Sequence, residues 1–98
     1  MSFRIDRFVS KDNLTVLRVS GEVLGQDVDT FRHVLGEEHG RLAIDLMNVS
    51  LVDREAVQLL AFVEGSGIEL RNCLAYIREW VTREKADLRR DSLNGGME

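Results

Sequence analysis

The stretch from Leu42 to Gly65 constrains this chain most, because two apolar periods meet there at a single aspartate. In Leu42 to Met47, the expected strand, Leu42, Ile44 and Leu46 recur at every second position, the spacing of a strand that buries one side of a sheet. From Arg54 to Glu64 the apolar residues Ala56, Val57, Leu59, Leu60, Ala61, Phe62 and Val63 cover more than one helical stripe, so this helix is expected to be the most buried of the chain. Asp53 stands between the two segments as an N-cap, the position where a carboxylate accepts a hydrogen bond from a first-turn amide. Gly65-Ser66-Gly67 closes the helix and Ile68-Glu69-Leu70 reads as a short strand. A strand, a crossover helix and a second strand require a parallel pair.

The flanking segments extend this unit on both sides. Phe3, Ile5 and Phe8 mark a short extended segment, and Lys11-Asp12-Asn13 supplies turn residues before a second strand ending at Gly21. In that strand Thr15, Leu17 and Val19 alternate with Leu14, Val16 and Arg18. After Gly25, Val28, Phe31, Val34 and Leu35 fall at helical spacing up to Gly36, with His39-Gly40 beyond. Asn72 is expected to cap a last helix whose inward stripe is Leu74, Ile77, Val81 and Leu88. The expected architecture is an α/β sandwich: a mixed four-stranded sheet with helices packed mainly on one face. Residues 1–92 are read as one domain and residues 93–98 as a flexible tail, with Asn94, Gly95, Gly96 and Met97 frayed.

Charge and cysteine usage narrow the function. Thirteen basic against seventeen acidic side chains leave a net charge of -4, which argues against binding nucleic acid or an anionic membrane. The charges of the first eight residues interrupt any signal-peptide core, and the longest apolar run, Leu59 to Val63, is far too short to span a bilayer. The single Cys73 allows no internal disulfide. Together these point to a cytoplasmic protein.

Three segments together resemble the STAS domain, the module shared by anti-sigma factor antagonists and the cytoplasmic ends of sulfate transporters. They are Leu14 to Val23, Leu42 to Asp53, and Gly67 to Leu70. The resemblance covers about residues 3–82, and the second segment, a strand ending in an aspartate at the mouth of the central helix, is its most specific part. It implies a STAS-like sandwich and a non-catalytic, cofactor-free module that contacts a protein, either an anti-sigma factor or a kinase, with a homodimer also open. The contact surface it implies combines Asp53, Arg54 and Glu55 with Gly25 and Gln26. In the antagonists the aspartate is followed by Ser-Ser-Gly or a close variant, and a partner kinase phosphorylates the second hydroxyl. Here Arg54, Glu55 and Ala56 take those places, so the usual switch has no hydroxyl to act on. Glu55 occupies the phosphoserine position with one negative charge in place of about -1.5 to -2. A simpler account is that an acid in a helix's first turn complements the dipole, worth about 0.3 to 1 kcal/mol.

A second function class rests on acids at strand ends. Asp45, Asp53 and Glu55 are expected to converge near the carboxyl end of the third strand, where open α/β sheets bind small molecules or nucleotides, and three carboxylates can hold a divalent cation. A cap, a first-turn acid and a solvent-facing strand residue explain the same three positions without a ligand. His33 and His39, six residues apart, do not share a helix face as metal ligands would, and no nucleophile arrangement stands out. Cys73 at the first turn of the last helix could be a thiolate sensor, although a packed thiol is the simpler reading. Trp80, beside Ile77 and Val81, is read as core.

Overall fold

A computed structural model describes the backbone of residues 3–96 and the side chains of residues 3–87. The elements run β1 (Arg4–Val9), β2 (Thr15–Val23), α1 (Gly25–Gly36), β3 (Leu42–Val52), α2 (Arg54–Gly65), β4 (Glu69–Arg71) and α3 (Ala75–Gly96). The strands lie in the order β1-β2-β3-β4, with β1 antiparallel to β2 and the pairs β2/β3 and β3/β4 parallel. This is the mixed four-stranded α/β sheet that the periodicity predicts. Both crossovers step in the same direction along the sheet, and right-handed connections therefore put α1 and α2 on one face.

The alternation along β2 decides which face is buried. Thr15, Leu17 and Val19 are buried, while Val16 and Arg18 turn to the opposite, helix-free face. Ile44 and Leu46 of β3 join Val19, Val28 and Phe31, six α2 residues, and Ile77 and Val81 of α3 in one core. Each fully buried side chain of this size stabilises by roughly 1.5 to 3 kcal/mol. Trp80 packs against the same core, as expected.

Several boundaries differ from the sequence reading. Strand β2 does not stop at Gly21 but continues to Val23, because Gly21 adopts φ 89° beside an irregularity in the β2/β3 register and the strand resumes beyond it. Strand β3 likewise runs past Met47 to Val52 through two register shifts. Asn72 is no helix cap: it sits at φ 58°, and α3 begins three residues later at Ala75. Leu74 consequently lies outside the helix and is exposed. Helix α3 runs to Gly96. The side chain of Leu88, and Met97, lie outside the described residues.

Candidate functional site at the mouth of two helices

Strand β3 delivers Asp53 to the point where α1 and α2 both begin. One carboxylate oxygen, Oδ1, accepts from the Ala56 amide at 3.0 Å, which is the expected N-cap bond of α2. The other, Oδ2, accepts from the Gly25 amide at 2.7 Å, the first residue of α1. The residue preceding α1 is Leu24, whose side chain has no acceptor to offer, so α1 borrows its cap from a residue 28 positions away. Asp27 completes the turn by accepting from the Leu24 amide at 3.0 Å. The Asp53 amide donates to the Val23 carbonyl at 3.3 Å and holds the carboxylate in register with the end of β2.

Glu55 lies in the gap that this arrangement leaves between the helices. A Cβ built on Gly25 would sit 2.6 Å from Glu55 Oε1 and 2.9 Å from its Cδ. Any larger residue at position 25 would displace that carboxylate. Two helix amino termini, each with positive dipole character, face the Glu55 carboxylate, which accounts for an acid there on electrostatic grounds alone. Arg54 and Gln26 are exposed on the rim.

A groove of about 260 Å³ opens from this mouth and is lined by Val28 and Arg32 of α1 and by Glu55, Gln58, Leu59 and Phe62 of α2. Glu55, Gln58 and Phe62 stand at helical spacings of three and four, so they form one outward face. Phe62 is 68% exposed, contrary to the expectation that it would be buried with its neighbours. The sequence carried a signal: five consecutive apolar residues, Leu59 to Val63, cannot all face one core at 3.6 residues per turn. The helix buries Leu59, Leu60, Ala61 and Val63 and leaves Phe62 outside.

The acids do not converge as the sequence suggested. Asp45 pairs with Arg18 in the β2/β3 register and Val52 with Val23, so the five-residue step along β2, on the order of 16 Å, separates Asp45 from the end that carries Asp53. The extension of β3 beyond Met47 is the reason. Asp45, 6% exposed, accepts from the Met47 amide at 2.9 Å and from Asn72 Nδ2 at 3.1 Å, and Arg18 Nε lies 3.4 Å from its Oδ2. Burial works to raise the Asp45 pKa, but the two hydrogen bonds and Arg18 outweigh it and hold the carboxyl below its ordinary value. Its acceptor capacity is spent on the fold. Among the described residues no group of three His, Cys, Asp or Glu side chains is placed to hold a metal ion.

Two other candidates lose their premise. Burial pushes the Cys73 thiol up rather than down, and the residue precedes α3 instead of lying in its first turn, so the thiolate premise fails. His33 and His39 are both exposed. Among the described residues no helix is long and apolar enough to cross a membrane.

Among the solved structures that resemble this arrangement is an anti-sigma factor antagonist STAS domain from Rhodobacter sphaeroides. It is 26% identical, with a TM-score of 0.56, over 71% of this chain and 84% of that one. The fold matches that of a STAS domain. No family model matches the sequence, and none of the curated proteins does. The resemblance of fold suggests a role in protein interaction.

Proposed function

We propose that this chain is a non-catalytic protein-interaction module of the anti-sigma-antagonist kind, acting in the cytoplasm through the mouth between α1 and α2. The observation that carries this reading is the double cap: Asp53 fixes Gly25 and Ala56 together, and Glu55 and Phe62 are displayed on the surface so fixed. A rigid platform with a large exposed aromatic is the form in which interface anchors occur. Arg54 and Gln26 supply rim contacts, Gly25 supplies clearance and Glu55 supplies a permanent negative charge where the resembled antagonists carry a phosphorylatable serine. The partner is an anti-sigma factor or its serine kinase activity, and the module is not switched at the usual position.

Two measurements test this. Incubation with an anti-sigma-type serine kinase and ATP, followed by mass spectrometry, is expected to leave residues 53–56 free of phosphate; phosphate on Ser50 or Ser66 would sink the idea of an unswitched module. Surface capture of the same kinase should show affinity rising about tenfold in Glu55→Ser, as a fixed charge is removed from the contact, and falling about tenfold or more in Phe62→Ala. Affinities unchanged in both variants would reject this surface.

A further inference from the structure

We propose that the free edge of β1 is a self-association site, at which two copies of this chain pair β1 with β1 in antiparallel register about a two-fold axis at Ile5. Strand β1 is the end of the sheet, and the hydrogen bonds at the β1–β2 turn show which of its groups face outward. The Ser10 amide donates to the Leu14 carbonyl at 2.8 Å, whereas the Thr15 amide points away from β1 and donates to the Arg41 carbonyl at 3.0 Å. Ser10 and Leu14 are thus a hydrogen-bonded pair and Val9 and Thr15 are not. Because such pairs alternate in an antiparallel ladder, Phe8, Asp6 and Arg4 bond to β2, while Ile5, Arg7 and Val9 direct their amides and carbonyls outward. Among the described residues, no hydrogen bond from a turn, loop or side chain engages those outward groups.

Charge selects the register. With only the odd residues facing out, a two-fold axis through Asp6 sets Asp6 opposite Asp6 at the closely spaced position, which is repulsive, and an axis through Arg7 sets Arg7 opposite Arg7, each already paired with its own Glu38 at 2.8 Å, so that register gains no new pair of opposite charges. An axis through Phe8 avoids like charges but leaves two hydrogen-bonded pairs before the turn at Ser10, about four bonds. An axis through Ile5 pairs Ile5 with Ile5 and Phe3 with Arg7, giving about six bonds, and places Arg4 opposite the second copy's Asp6 twice, at the closely spaced positions where side chains meet. In the single chain Arg4 and Asp6 pair with each other at 3.2 Å, a contact whose Arg4 side chain is 74% exposed, and association exchanges it for the same pairing between copies. Charges on an edge strand ordinarily discourage pairing. Here their alternation in sign leaves one long register that is complementary, and so names a second copy as the occupant. The surface shares no residue with the α1–α2 mouth.

A strand pair of this length buries a small interface, so the association is weak and concentration-dependent. Sedimentation equilibrium of the 98-residue chain, from micromolar to about millimolar concentration, reads it. Asp6→Arg and Arg4→Asp should each raise the dimer dissociation constant about tenfold or more, and the double reversal should return it to within about threefold of the parent, because opposite charges again face each other. Circular dichroism confirms the fold of each variant. A chain that stays monomeric throughout, or a dimer whose affinity ignores the single reversals or is not recovered in the double variant, overturns the proposal.

Discussion

Asp45 and Asp53 lie on and just beyond the same strand, and each ties together elements distant in sequence, yet they do so for different ends. Asp45 sits within the sheet, where its carboxylate meets a β2 arginine, a β3 amide and the side chain of Asn72 beyond β4. Asp53 sits past the last strand residue and receives backbone amides only, one from each of two helices. The first consumes its charge in holding the helix-free face of the sheet. The second fixes a surface and leaves the neighbouring acid, Glu55, exposed. A carboxylate satisfied by side-chain donors on a sheet becomes structural, whereas one satisfied by helix amino termini builds a positively polarised mouth that can present another group.

Removing Asp45 should have the largest effect on stability. Asp45→Ala leaves the Met47 amide and Asn72 without their acceptor and Arg18 without its counter-charge, a cost of about 2 to 3 kcal/mol that thermal or urea unfolding would measure. Linkage gives a second readout. A carboxyl held below its unfolded pKa contributes stability fully above about pH 4, and that contribution is lost as pH falls through the folded-state value. Glu64 behaves the same way, because hydrogen bonds from Arg78 outweigh its burial and Lys85 adds to them. The parent should therefore lose stability below about pH 4, and Asp45→Ala should lose less of it there, retaining the share due to Glu64. An acid-unfolding profile parallel to that of the parent would show that Asp45 is not held ionised by its partners.

A smaller loss, about 1 to 2 kcal/mol, is expected for Asp53→Ala, whose amides can find water at the partly open mouth. Asp53→Asn sharpens the comparison. Its single carbonyl oxygen can keep the Ala56 bond but its amide nitrogen cannot accept from Gly25, so roughly half the loss should remain. Equal stability of Asp53→Asn and the parent would mean that the bond to α1 contributes nothing. Least of all, Glu55→Gln should cost about 0.3 to 1 kcal/mol, and less at high salt, since it removes a charge from two dipole ends without removing a hydrogen bond. A larger, salt-independent loss would place Glu55 in the fold rather than on the contact surface.

How far the sequence could be read depended on the range of the interaction. Asp53 as a cap of α2 was legible because the acceptor and its amide are three residues apart, and the alternation along β2 was legible because one strand enforces it, whereas the burial of Thr15, Leu17 and Val19 rather than Leu14 and Val16 was chosen by the packing. The bond from Asp53 to Gly25 was not, since nothing local to Leu24 announces a cap supplied from across the sheet. Asn72 misled for the same reason: a residue type favoured at caps and in left-handed turns took the second role, with Asp45 as its distant partner.

Sequence alone determined the order of strands and helices, the parallel crossover around α2, the alternation of β2, the inward stripe of α1, and the absence of a hydroxyl at residues 54–56. Each follows from spacing of 2.0 or 3.6 residues or from residue chemistry, which is local. Tertiary structure decided that β3 continues to Val52 and so parts Asp45 from Asp53, that Phe62 is the residue of its apolar run left outside, and that β1 ends the sheet with Ile5, Arg7 and Val9 facing out. Those outcomes depend on which elements lie side by side, and strand order and helix crossovers set that only once the chain has closed on itself.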